Sequence, residues 1–288
     1  KNYYFINLNI FYFILIKINL IIYNMNFNTI CEDLINKNII RFGKFQLSDG
    51  SISEYCFDMK KIYSNSELFN EIVDIMVNRI RSHTFDNYDY ICGVPFGSIP
   101  LATAISLQLN KPILYIRKEK KTYGNKSQIE GTFNIGDTVL LIDDILTTGS
   151  SILKTKNILI NNGLLPIGFA VCINKQTGSF EYIKNSDFTG VFIYKISGIM
   201  NNLNSSKLIT AFDFNKFESS FMVENTSFQK KMDKIKKNKE YLKKRDFEFN
   251  KIQQIIVSLI EDKKTNICLD LTDKTSWKDC KTLIELLG

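Results

Sequence analysis

The chain has 288 residues, 44% of them hydrophobic and 23% charged, a length and composition that accommodate one well-buried domain plus a smaller one and exclude a disordered or low-complexity chain. Its formal net charge of +7 is local: Lys230 to Arg245 holds nine basic and two acidic residues, a surplus equal to the whole-chain value, so the remainder is neutral and argues against a nucleic-acid binder. Six scattered cysteines (Cys31, Cys56, Cys92, Cys172, Cys268, Cys280), with no CxxC pair and no histidine cluster, argue against a zinc site or a disulfide framework and fit a reduced, cytoplasmic setting.

In chain order, residues 1–24 are apolar, but Lys17 and several asparagines interrupt them before a clean run of ~20 apolar residues is reached. They read as a non-native or upstream leader, with a membrane anchor as the alternative, and Met25 opens a sensible amphipathic helix. A helix is expected from Asn28 to Ile40, a strand over "ISEYCFDM" and a second helix over 66–80 with Ser66 as its cap, together forming an N-terminal hood. The lone histidine, His83, follows that helix and reads as a surface or capping residue rather than a catalytic one.

Next come five short β-branched runs, at 88–94, 112–116, 138–142, 166–173 and 190–196, separated by helical stretches at 98–110 and 150–163, the latter closing on Gly163. Alternating strand and helix predicts an α/β fold with a parallel sheet, flanked by helices and joined by right-handed crossovers. The expected domain spans residues 25–215. A basic linker, 216–250, leads to 251–288, where Ile252, Ile255, Ile256, Leu259 and Ile260 share a helical face ahead of a strand-like "TNICLDL" and a last helix.

The most informative stretch is "VLLIDDILTTGSS", residues 139–151. A strand tip running into a helix start supplies backbone N–H groups, and Thr147, Thr148, Ser150 and Ser151 add hydroxyls around Gly149, which together cradle a phosphate. Asp143 and Asp144 just before it would repel a second phosphate but accept hydrogen bonds from vicinal hydroxyls. A ribose 5-phosphate satisfies both halves; the plainer alternative is a capped helix with solvated acids. A second stretch, Arg117 to Lys126, carries five cations and one acid between two strands, with Gly124 and Gly131 as hinges. Such a loop could close over a polyanion, or be an ordinary solvated hairpin.

"DDILTTGSS" resembles the PRPP-binding signature of type I phosphoribosyltransferases, and "RKEKKTYG", "RFGKFQLSDGSISEYCFDM" and "CGVPFGSIPLATAIS" resemble, in order and spacing, segments of the orotate phosphoribosyltransferases from about residue 31 to 198. That resemblance implies the type I phosphoribosyltransferase fold and transfer of phosphoribose from PRPP to orotate, with Mg²⁺ carried by the PRPP pyrophosphate and no protein metal ligand. It implies that Asp143 and Asp144 hold the ribose hydroxyls. Thr147, Thr148, Gly149, Ser150 and Ser151 would hold the 5-phosphate, and Phe96, Arg117, Lys118, Lys121 and Tyr123 the pyrophosphate, with Lys121 the principal catalytic cation. Orotate would meet Cys56, Phe57, Thr147 and Lys175. A loop reaching the neighbouring site implies a homodimer.

Three positions depart from the family pattern: Ser48 and Gly97 stand where members carry lysines, and Lys175 where bacterial members carry an arginine, which keeps the charge and loses the bidentate fork. "KKTNICLDLTDKTSWKDCKTLIELLG" resembles the opening of orotidine 5′-phosphate decarboxylase, so the chain looks like the front portion of a bifunctional UMP synthase. A uracil or purine phosphoribosyltransferase, or a PRPP-binding regulator without turnover, remains an alternative.

Overall fold

A computed structural model of the chain describes residues 26–46, 50, 52–83, 85, 87–117, 128–184 and 188–263, with backbone alone at 184, 238, 239 and 241–263. Two compact units divide it, Lys1–Phe228 and Gln229–Gly288.

The first unit opens with helix α1, residues 26–36. It stops short of the expected Ile40 because Asn38 turns left-handed at φ 56, and the Ile39 N–H then closes back on the Leu34 carbonyl. Asparagine tolerates that conformation better than other non-glycine residues. Ile39 and Ile40 are thereby released into the core and into strand β1, Ile40–Gln46, which pairs antiparallel with β2, Ile52–Phe57. The register slips between Phe42 and Phe45, where Gly43 has φ 144, so this strand carries a bulge that a period-two reading of the sequence does not recognise. A 3-10 helix, Met59–Ser64, leads to helix α2, Ser66–Ser82. The cap of α2 is Asn65 rather than the expected Ser66: its side-chain oxygen accepts the Leu68 N–H at 2.9 Å, which satisfies one of the orphan donors of the first turn.

The main sheet has six strands in the order β5-β4-β3-β6-β7-β8. They are β3 (Tyr90–Gly93), β4 (Ile113–Ile116), β5 (Ile129–Glu130), β6 (Thr138–Leu146), β7 (Leu165–Asn174) and β8 (Thr189–Lys195). All neighbouring pairs are parallel except the short edge pair β4/β5. Helices α3 (Ile99–Leu109), α4 (Ser150–Ile160), α5 (Ser179–Lys184), α6 (Ile196–Ser205) and α7 (Ala211–Lys263) complete the set.

Strand residues alternate between two cores. Leu140, Ile142, Ala170 and Cys172 pack with α2, α3, α6 and the hood, while Val139, Leu141, Phe169 and Val171 pack with α4 and α5. Both faces of β6 are therefore covered, which is why its sequence is a near-continuous apolar run. The glycine at the end of β3 serves this layering: a Cβ on Gly93 would lie 2.9 Å from the Ile99 Cα, so only glycine lets α3 start against the sheet.

Helix α6 was not expected from the sequence, because its first turn continues the apolar run of β8, yet Ile196, Ile199, Met200 and Leu203 are all fully buried. Residues 216–250, expected as a linker, lie within the 53-residue helix α7, and so does the expected boundary at 215. In the first unit α7 packs Phe217 on the Tyr55 ring, centroids 5.1 Å apart. The described part of the second unit is α7 from Gln229 to Lys263, with side chains at 229–237 and 240. The leader, the "TNICLDL" strand and the final helix lie outside the described residues. No helix among the described residues is long and apolar enough to cross a membrane.

Candidate active site

The site forms where β3, β6 and β7 end and their loops meet helix starts, as expected for an open parallel sheet. β6 runs to Leu146, so Asp143 and Asp144 are strand residues rather than the first residues of a loop, and both are buried. Ser98, the cap position of α3, donates its hydroxyl to Asp143 Oδ1 at 2.5 Å, and the Asp144 N–H lies 3.0 Å from the same oxygen. Asp144 Oδ1 accepts the Ile145 N–H at 2.8 Å.

Burial first, and the Asp144 charge second, push the Asp143 carboxyl up to about 8, and burial raises Asp144 as well. Two carboxyls so close and so poorly solvated cannot both ionise at ordinary cost. Their closeness and burial favour a proton retained on the pair over two full charges.

The turn after the acids is the stretch read from the sequence as an anion cradle. Gly149 has φ 73 and immediately precedes α4; a Cβ there would fall 2.3 Å from Ile183 Cδ1, so any other residue would sit in a left-handed backbone and have to displace the Ile183 side chain. Thr148 and Ser150 hydroxyls are 3.0 Å apart and, like Ser151, exposed, while Thr147 is half-buried. The Thr147 carbonyl accepts the Thr177 hydroxyl, which fastens the turn to the loop after β7. Exposed hydroxyls and N–H groups at a helix start make an anion site open to solvent.

Opposite the cradle, the loop 94–98 carries Phe96, which is 53% exposed. Tyr63, on the 3-10 helix, donates its hydroxyl to the Gly97 carbonyl at 2.6 Å, and the Lys60 stem lies across the Cα of Gly97. Neither residue carries a sequence signal for this place.

The residues expected to meet the base contain the largest departure from expectation. Lys175, at the end of β7, is buried, and its ammonium donates to Glu224 Oε2 of α7 at 3.0 Å. The same Glu224 carboxylate accepts the Ser53 and Tyr55 hydroxyls at 2.9 and 3.1 Å, and the Lys175 ammonium lies 4.7 Å from the centre of the Tyr55 ring. Cys56 and Phe57 follow on β2, both half-buried. Arg117 leaves β4 and pairs with Glu130 at 2.8 Å. Lys118, Lys121, Tyr123 and Ser48 lie outside the described residues.

A buried acid pair at the end of a central parallel strand, followed by a glycine-hinged anion turn, defines a phosphoribosyltransferase type of site. The family model for the phosphoribosyl transferase domain matches residues 58–195. The orotate phosphoribosyltransferase of Methanosphaera stadtmanae is 36% identical over 190 residues, which is 66% of this chain and 97% of that protein. The chain belongs to the phosphoribosyltransferases and, within them, to the orotate phosphoribosyltransferase family. The crystal structure of orotate phosphoribosyltransferase from Aeropyrum pernix superposes with a TM-score of 0.54 at 27% identity, covering 61% of this chain and 98% of that one. UMP synthase from Leishmania donovani shares the fold, with a TM-score of 0.61 at 23% identity over 67% of this chain and 42% of that chain.

Proposed function

We propose that the protein transfers the 5-phosphoribosyl group of PRPP to orotate, giving orotidine 5′-phosphate and pyrophosphate on the route to UMP. The observation that carries this reading is the placement of Asp143 and Asp144 within β6, directly before the open turn Thr147–Ser151. A carboxylate accepts from two vicinal hydroxyls, and a helix start binds the phosphate one sugar carbon away. The anomeric carbon then points away from the turn, toward the loop 94–98.

The C1–O bond to pyrophosphate breaks as a ring nitrogen of the base closes on C1, through an oxocarbenium-like state. The acid pair supplies negative charge beside the sugar as positive charge develops on it. Orotate is already an anion, so no strong general base is needed.

Magnesium enters with the substrate, as its pyrophosphate complex. The Lys60 cation beside Asp144 disfavours a divalent ion held by the acid pair alone, which favours a metal carried by the substrate. Arg117, Lys118, Lys121 and Tyr123 cover the pyrophosphate from a loop contributed across a homodimer. Cys56, Phe57, Thr147 and Lys175 meet the base, which requires Glu224 to share or cede Lys175. The four described cysteines are unpaired thiols, in keeping with a reducing, cytoplasmic setting.

The test is incubation with PRPP and Mg²⁺ plus either orotate or uracil, following nucleotide formation. Turnover with orotate is expected. Turnover with uracil alone would reassign the base, and PRPP binding without turnover would make the protein a sensor.

A further inference from the structure

PRPP brings a pyrophosphate and a phosphate to a cleft whose floor already holds two carboxyls, so cations must face it. Arg117, expected for that duty, is already engaged with Glu130 at 2.8 Å, and Lys175, expected for orotate, with Glu224 at 3.0 Å. Lys60 differs from both. It is exposed, and among the described residues it makes no hydrogen bond or ion pair.

The position of Lys60 is fixed by its stem rather than by a partner. A Cβ built on Gly97 would lie 3.2 Å from Lys60 Cε and 3.5 Å from Asp144 Oδ2, so the end of the lysine and the open side of the acid pair face one small volume. Tyr63 stands three residues on, one turn of a 3-10 helix and therefore on the same side, and its hydroxyl binds the Gly97 carbonyl. The helix is thus stapled to the loop 94–98 with Lys60 laid across it. The Lys60 charge is also felt by Asp144, whose carboxyl it draws downward against the effect of burial.

We propose that Lys60 is a substrate-binding residue that holds the pyrophosphate of PRPP beside Asp144, and that Gly97 is the clearance that lets its stem cross the loop. This rests on the reading of the site as a PRPP site, and it supplies positive charge to the leaving group from the hood side of the cleft. Any side chain at position 97 would press on the stem, whereas glycine leaves the ammonium free to track the departing group.

The test compares Lys60→Met, which keeps the stem, with Lys60→Arg and the wild type, using calorimetry with PRPP alone and steady-state kinetics. Loss of one charge-assisted contact predicts about a tenfold or larger rise in the PRPP dissociation constant, the PRPP KM and the pyrophosphate inhibition constant of Lys60→Met. The orotate KM and the melting temperature stay near wild type, Lys60→Arg recovers most of the affinity, and Gly97→Ala shows a smaller loss of the same kind. Equal PRPP and pyrophosphate affinity in Lys60→Met and wild type would overturn the proposal. A wild type that binds PRPP without using orotate would unseat only the base assignment, since the calorimetric comparison still decides Lys60. A wild type that does not bind PRPP overturns both.

Discussion

Asp143 and Asp144 occupy one buried location but different hydrogen-bond environments. Asp143 Oδ1 is covered by Ser98 and by the Asp144 N–H, whereas Asp144 Oδ2 looks out past Gly97. The outward oxygen belongs to the residue best placed to take a sugar hydroxyl, so Asp144→Asn is expected to lower kcat/KM by at least about tenfold, the scale of a hydrogen bond to a charged group; steady-state assay with saturating orotate checks it. The elevated Asp143 carboxyl has a sign that can be worked out. Between the ordinary carboxyl value of 3.8 and about 8, the unfolded chain has lost this proton and the folded chain retains it. Stability is therefore full below that window and falls as pH rises through it. Melting curves of the ligand-free protein should drop from pH 5 toward 8, and Asp143→Asn should flatten that slope. The pair itself was visible in the sequence because adjacent acids ending an apolar run are unusual; Ser98 was not, since its bond to Asp143 spans 45 residues and a serine after a glycine marks nothing.

The elements divide by how much of their environment is local. β6 and β7 are legible because both faces are buried and the run stays apolar, and α4 because a glycine turn precedes it and Gly163 follows it. β1 hides behind its bulge at Gly43, α6 behind the apolar end of β8, and the role of α7 behind its composition: a polar, basic stretch gives no hint that Ser220 and Glu224 face β2. Two predictions belong here. Gly149→Ala places a methyl on Ile183 in a left-handed backbone, which costs on the order of 1–3 kcal/mol, and should lower both the melting temperature and PRPP affinity. Glu224→Ala leaves Lys175, whose side chain is 8% exposed, without its counter-charge; breaking such a pair from one side costs about 3–5 kcal/mol. Chemical denaturation should register it, with Glu224→Gln milder because it keeps acceptors for Ser53 and Tyr55.

At the scale of the whole molecule, the proposed homodimer with a loop reaching the neighbouring site predicts complementation. A Lys121→Ala protein and an Asp143→Asn, Asp144→Asn protein, each inactive alone, should regain part of the wild-type rate when mixed and exchanged, because some mixed dimers pair an intact loop with an intact acid pair. No recovery, with sedimentation showing a monomer, would remove the shared loop from the reading.

The boundary of the recognisable family segment at residue 195 is not a boundary of the folded unit. A protein trimmed there would lose α6, four of whose residues are fully buried, and with α7 it would lose the phenylalanine over Tyr55 and the acid that neutralises Lys175. What remained would display a bare greasy face and an orphan ammonium beside the Tyr55 ring, and would be expected to precipitate rather than catalyse. Expression boundaries for this enzyme therefore belong beyond Phe228, where the first compact unit closes.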